Sequence, residues 1–386
     1  MKPMSSSPSK SGLRVCLIAP HFAEYAVALA QALQAAGAEV LLVASRENLL
    51  AEIGPTALLA APDGPALHLI HKSRNPLSLL WQALSLAAVV RRFAPQVLHV
   101  QEDSKDVLAA ALPFLPKVPL LLTMHDPKPH SGDDTRVRTR TRHGIYIDQL
   151  RRRADAVLVH GERLVADARQ VLGASQVPVH VVPHGPLGQA LAARQSSAQE
   201  AGRCLFFGRI EAYKGLRHFV DMVRRLRAQG VMVRGVVAGR GSDLEPHRAA
   251  LQDGDAFELI ERFLSPEDVV HEFQRARVVV MPYDNATQSG VAAYAIGVGR
   301  GVVAFDVGAL REMVDNGRTG LLVPHGDMPA LMAAVRRVVE DDGLAQHLQK
   351  QARARADGEF SWPSIATRTL AAYASMRAAL GKAGLQ

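Results

Sequence analysis

An arginine and a lysine stand five residues apart in the stretch 204–215, CLFFGRIEAYKG. Arg209 follows Gly208 at the end of an apolar run. Lys214 sits in a Tyr-Lys-Gly turn just before the periodic segment LRHFVDMVRRLRAQG. A guanidinium fork and a mobile ammonium on one loop suit a diphosphate. A strand running into a helix N-terminus is where α/β proteins place such anions. The plainer reading is a pair of solvated loop charges. Gly239-Arg240-Gly241 ends a second apolar run, and its glycines permit backbone to approach a ligand. Ser289, Gly290 and Val291 open a further helical segment. Their N–H groups could face the same diphosphate.

A second cluster, His125, Asp126, His130, Asp133 and Asp134, lies in a proline-broken loop. Imidazole and carboxylate suit several divalent ions. No pair has helical ligand spacing, so no metal is assigned. Residues 136–153 read RVRTRTRHGIYIDQLRRR. Arg136, Arg138, Arg140 and Arg142 alternate, and Arg151, Arg152 and Arg153 cluster. Two readings stand level: a solvated face, or a surface for anionic headgroups or a lipid-diphosphate acceptor.

These groups need rigid supports, and the hydrophobic pattern supplies them. Apolar strands at 14–19, 39–44, 97–100, 120–122, 156–160 and 179–182 alternate with helical segments. A second series runs 204–207, 231–238, 257–260, 278–281 and 302–305. Strand–helix alternation implies parallel sheets, here two Rossmann-like, doubly wound α/β domains. The expected division is a polar N-terminal tail at 1–12, a first domain at 13–185 and a linker at 186–202. A second domain follows at 203–365, and a final helix at 366–386.

FFGRIEAYKGL resembles the opening of the second domain in retaining GT-B glycosyltransferases of family 4. VVAFDVGALREMVDNGRTGLLVPHGD, from Val302 to Asp327, resembles that family's stretch beyond the donor loop. The resemblance implies two domains facing across a cleft, with the final helix crossing back to the first. It implies a nucleotide-diphosphate sugar as donor, a glycan or lipid-linked acceptor and no metal. Arg209, Lys214 and His125 take the catalytic positions. Gly208, Gly239, Ser289, Gly290, Val291 and Tyr294 take the nucleotide-sugar contacts. The sequence departs from the family in two places. Pro20, His21 and Phe22 replace a glycine pair after the first strand, where His21 and Glu24 could touch an acceptor. Ala286 and Tyr294 replace two glutamates, the second of which holds the ribose in relatives. Asp306 and Glu312 match and could cap the turn after their strand. PHG at 183–185 matches the family's interdomain hinge. A retaining sugar transfer in polysaccharide or cell-envelope glycan synthesis is the expected activity. A degenerate relative that binds without turnover, or a sugar- or lipid-binding module at a membrane, is the alternative.

Composition agrees with anionic partners. Lys and Arg number 45 against 37 Asp and Glu, a formal charge of +8. Aromatics are only 5% and no basic stretch is studded with them, so nucleic acid is not expected. Cys16 and Cys204 lie in apolar runs of different domains and read as buried thiols of a reducing compartment. The Ser-rich N-terminus has no apolar core for a signal peptide, and no apolar run reaches spanning length. The expected place is the cytoplasm or the inner face of its membrane.

Overall fold

The computed structural model describes residues 12–54, 64–73, 75–103, 106–128 and 142–383. The first domain holds β1 (Arg14–Ala19), β2 (Glu39–Ser45), β3 (Ala66–Ile70), β4 (Val97–Gln101), β5 (Leu120–Thr123), β6 (Ala156–Val159) and β7 (Val179–Val181). They form one seven-stranded sheet in the order β3-β2-β1-β4-β5-β6-β7, and every pairing is parallel. The second domain holds β8 (Arg203–Phe207), β9 (Arg234–Ala238), β10 (Phe257–Ile260), β11 (Val278–Met281), β12 (Val302–Phe305) and β13 (Gly320–Val323). These make a six-stranded parallel sheet, β10-β9-β8-β11-β12-β13.

Both sheets are covered by helices on both faces, which is why their strands read as unbroken apolar runs. Cys204, Leu205 and Phe206 are fully buried, as are Leu120, Leu121 and Leu122. Both cysteines are free and buried. The apolar run expected from residue 231 joins the sheet only at Arg234. β3, half-exposed at the sheet edge, was not anticipated. In each sheet the strand order reverses once, between β1 and β4 and between β8 and β11. A parallel sheet opens a crevice at the carboxyl ends of such a pair.

The final helix, Trp362–Ala383, belongs to the first domain's core. Ile365, Ala366, Tyr373 and Met376 are buried with Val15, Leu17, Tyr25 and Leu29. The chain therefore crosses between domains twice, and the crossings touch. Trp362 Nε1 donates to Pro186 O at 3.2 Å. Its ring lies so close to Gly185 that a Cβ there would sit 2.6 Å from it.

Arg203, at the start of β8, locks the second domain's near edge. Its guanidinium is 1% exposed and holds Glu258 through two bonds, 2.7 and 3.2 Å, and Glu272 through a third. Glu272 also accepts from Arg275 at 3.1 Å. Removing one side of a buried pair leaves the other charge without compensation. Arg203→Met is expected to lose about 3 kcal/mol of stability, the low end for such a site because Arg275 still holds Glu272. Urea unfolding of the second domain measures it.

Candidate active site

The loops leaving β8 and β9 are zipped together. Gly208 N donates to Ala238 O at 3.0 Å and Ile210 N to Arg240 O at 2.7 Å. The fit requires glycine. Gly208 has φ +108° and Gly239 φ +142°, and a Cβ on Gly239 would lie 1.9 Å from Gly208 O. Lys214 reaches back over this contact, and a Cβ on Gly208 would meet its Nζ at 2.6 Å and Val291 at 3.5 Å. Gly208, Gly239, Lys214 and Val291 thus share one spot at the β8/β11 switch point. Ser289 caps the helix Gly290–Val298, its hydroxyl accepting from Ala292 N at 3.3 Å. Gly290 beside it is exposed, with open space where a side chain would be.

Arg209 is exposed, whereas Lys214 is buried. Burial, then the nearby Arg209 charge, pushes the Lys214 pKa down to about 7. Its Nζ lies 5.5 Å from the centre of the Tyr283 ring. The neutral amine is poised to gain a proton when an anion arrives.

Across the cleft, His125 follows β5 and is itself buried. It is the middle of an ordered polar chain. Gln288 Nε2, from the second domain, donates to His125 Nδ1 at 3.3 Å. His125 Nε2 donates to Gln101 Oε1 at 2.6 Å. Gln101 Nε2 faces His99 Nε2 at 3.4 Å, and His99 Nδ1 meets Tyr373 of the final helix at 2.7 Å. Gln101 therefore fixes the His125 tautomer, with the proton on Nε2 and an acceptor at Nδ1. Burial keeps the ring neutral and its pKa well below the usual histidine value, helped by His160 and His184 beside it. His160 and His184 are pushed down to about 3 and about 4 for the same first reason.

Phe22 covers this histidine. Its ring stacks on His125 with centroids 3.9 Å apart. To do so it takes φ 59°, ψ 49°, a left-handed backbone that costs a non-glycine residue about 1 kcal/mol or more. The resemblance marks a glycine pair as replaced here; that its replacement takes a left-handed backbone is seen only in the structure.

Besides Gln288 on His125, further contacts join the donor-side loops to the first domain. Thr287 Oγ1 donates to Asp126. The Tyr294 hydroxyl donates to Glu24, whose other oxygen accepts from Gly188 N at 2.5 Å. Burial raises the pKa of Glu24, and the bonds from Tyr294 and Gly188 partly offset it. Glu312 accepts from Glu162 N at 2.6 Å and Arg163 N at 2.9 Å. It caps the helix Arg163–Leu172 of the opposite domain rather than the turn after its own strand. The helix end supplies the favourable dipole. Gly161 makes room, since a Cβ there would lie 2.7 Å from Glu312 Oε2.

The arginine run divides. Arg136, Arg138 and Arg140 lie outside the described residues, with His130, Asp133 and Asp134. Arg151 is bidentate on buried Glu102, at 2.6 and 3.0 Å. Arg153 donates to Leu112 O and Pro116 O at 2.8 and 2.6 Å. Both side chains hold the domain together and are not presented to a headgroup; Arg152 alone of the three is exposed. Among the described residues no His, Cys, Asp and Glu group is arranged to hold a metal.

Two outcomes follow from this geometry. At pH 8 the free Lys214 is largely neutral, and a bound diphosphate restores its charge, so binding takes up a proton. Calorimetry in buffers of different ionisation enthalpy reads that uptake, and Lys214→Arg removes it. Tyr294→Glu sets a second carboxylate against Glu24, with Phe207 and Phe273 packed around it at 6.4 and 5.5 Å. It is expected to melt earlier than Tyr294→Phe, which loses one hydrogen bond worth about 1 kcal/mol.

Known proteins resemble this chain in sequence and in fold. Residues 23–185 match the family model for Glycosyltransferase Family 4, and residues 201–341 match that for Glycosyl transferases group 1. A D-inositol 3-phosphate glycosyltransferase of Jonesia denitrificans is 31% identical over 292 residues, 68% of this chain and 67% of the relative. A glycogen synthase of Mycobacterium tuberculosis is 27% identical over 297 residues, 73% of this chain and 69% of the relative. Among solved structures, HepE of Anabaena in complex with UDP-glucose superposes with a TM-score of 0.66 at 16% identity, covering 94% of this chain and 100% of that one. With both domain models matched in order and the two-sheet fold in place, the chain belongs to the group 1, family 4 glycosyltransferases.

Proposed function

We propose that the chain transfers a hexosyl group, with retention, from a nucleoside-diphosphate sugar to a glycan or lipid-linked acceptor. The observation that carries this reading is the convergence of Lys214, Gly208, Gly239 and the Ser289-capped helix at the β8/β11 switch point, opposite His125. HepE, similar in fold, is described with UDP-glucose, which supports a uridine donor as the first candidate. Arg209, Lys214 and the N–H groups at Ser289, Gly290 and Val291 would meet the diphosphate. Gly208 and Gly239 let backbone come near it.

In the proposed reaction the bond from the anomeric carbon to the phosphate oxygen breaks, and the acceptor oxygen bonds to the same face. The acceptor's proton passes to the departing diphosphate. Charge grows on that leaving group, where fixed cations and backbone N–H groups act most strongly. Those cations lead us to propose that no metal is needed, so turnover should persist in chelator. The neutral His125, with its Nδ1 acceptor, would take a hydroxyl of the sugar or acceptor once Gln288 moves off it. No described helix is long and apolar enough to cross a membrane. A peripheral contact on anionic lipid is proposed, and residues 136–142 with Arg152 are what the arginine run still offers it.

A panel of radiolabelled nucleotide sugars, scored for transfer and for hydrolysis, tests the reading. Arg209→Ala and Lys214→Ala are each expected to lower turnover by about 10²–10³-fold while the melting temperature holds for Arg209→Ala. Both variants at full activity would remove the donor site from this loop.

A further inference from the structure

The helix Pro76–Phe93 of the first domain carries large apolar side chains into solvent. Leu77 is 77% exposed, Trp81 70%, and Leu80 and Leu84 47% each. Their spacing of three and four residues puts them on one stripe of the helix. The opposite stripe, Ala83, Leu86 and Val90, is fully buried in the sheet core. The exposed stripe is therefore additional to what the fold needs. Scattered exposed leucines are ordinary; four large residues with a tryptophan, contiguous on one helix, are not.

The surrounding charge says what fits there. From Gly64 to Gln101 the sequence has no Asp or Glu. The exposed side chains of Lys72, Arg91 and Arg92 stand before the stripe and after it. Glu47, the carboxylate that reaches this helix's approach, is held by Ser45 Oγ at 2.8 Å and Lys72 N at 3.1 Å. A self-paired dimer through this stripe would bring the basic flanks of two copies together. An anionic bilayer instead takes the leucines among acyl chains, the indole at the interface and the cations among headgroups.

We propose that this helix docks the protein on an anionic lipid surface, lying in the plane of the headgroups. The position serves an acceptor held in lipid. Asn75 caps the helix, its Oδ1 accepting from Leu77 N at 2.9 Å, a few residues beyond the carboxyl end of β3. In a parallel sheet every carboxyl end lies along one edge, here the edge that carries the cleft. Leu77, Leu80, Trp81 and Leu84 occupy its first two and a half turns. The apolar stripe thus begins at the cleft edge of the acceptor-side domain. The inference rests on this surface and not on the donor site, so the two fail separately.

The sequence supplies its own reporter. There are two tryptophans, and Trp362 is already seated against Gly185. Trp81 emission should shift to the blue with vesicles of phosphatidylcholine and phosphatidylglycerol, be quenched by brominated acyl chains, and shift little with phosphatidylcholine alone. Trp81→Phe assigns the signal. Leu80→Ser/Leu84→Ser should lower the vesicle partition coefficient tenfold or more, with the melting curve and nucleoside-diphosphate binding unchanged. Arg91→Gln/Arg92→Gln should remove much of the salt-sensitive part. Partitioning that is equal for the serine variant and the parent overturns the proposal. So does equal binding to neutral vesicles, or binding lost only when residues 136–142 are neutralised. A blue shift that grows with protein concentration without lipid, alongside a dimer in sedimentation, would assign the stripe to a second copy instead.

Discussion

A cation held at the carboxyl edge of a parallel sheet is the constraint on which the second domain depends. Lys214 is kept out of water above backbone that has no side chains to spare. Burial of an ammonium is unfavourable unless an anion joins it. The fold cannot relieve this by moving the lysine. The helix that follows begins at Leu216, and Gly215, in a left-handed conformation, packs so tightly that a Cβ would lie 2.1 Å from Pro282 O. The glycines at 208, 215 and 239 are thus consequences of one requirement, a lysine folded back over a rigid, closely packed turn. Preorganisation of this kind puts the electrostatic work into folding rather than into the reaction.

The other domain is organised by neutrality. His99, His125, His160 and His184 are buried, their pKa values pushed down by that burial, and each is hydrogen-bonded. His160 and His184 give their Nδ1 protons to backbone carbonyls, at 2.9 and 2.7 Å. His125 is turned the other way by Gln101. Its acceptor side then faces the second domain, where Gln288 occupies it. One cleft wall therefore offers positive charge and the other offers neutral acceptors. That division suits a reaction whose leaving group is anionic and whose transferred sugar becomes electron-poor.

How much of this was legible in the sequence follows from chain distance. Arg209, Lys214 and Gly208 sit within seven residues of each other, so spacing and residue type announced them together. Continuous apolar runs announced buried parallel strands for the same local reason. β3 escaped because an edge strand is half exposed and its pattern, ALHLI, is short. Tyr294 with Glu24, and Glu312 with Glu162, are separated by 270 and 150 positions. No local rule pairs them. The arginines at 151 and 153 looked like surface because charge runs usually are, yet the low-dielectric partners that claim them lie 49 and 41 residues away. The exposed stripe on the helix Pro76–Phe93 was hidden by the opposite error. Periodic apolar residues suggest a core-facing helix, and a sequence cannot show that the same helix is apolar on both sides.

The contacts across the cleft have a common chemistry that bears on how the site fills. They are hydroxyl to carboxylate, amide to imidazole, and carboxylate to helix end, with hardly any apolar burial among them. Polar contacts of this sort exchange readily for water, whereas packed apolar ones do not. The covalent crossings, by contrast, are pinned by the Trp362 ring against Gly185. A joint rigid at its crossings and wettable across its mouth can part without unpacking either core. Gln288 is the group whose departure matters most, since it occupies the His125 acceptor that a ligand would need. Phe22, on the first domain, would remain behind when it leaves. Its ring stays on the imidazole because a strained backbone is tolerated only where packing fixes it. A group approaching Nδ1 would therefore come along the edge of His125, beside an aromatic face, because the Phe22 ring covers the imidazole from above.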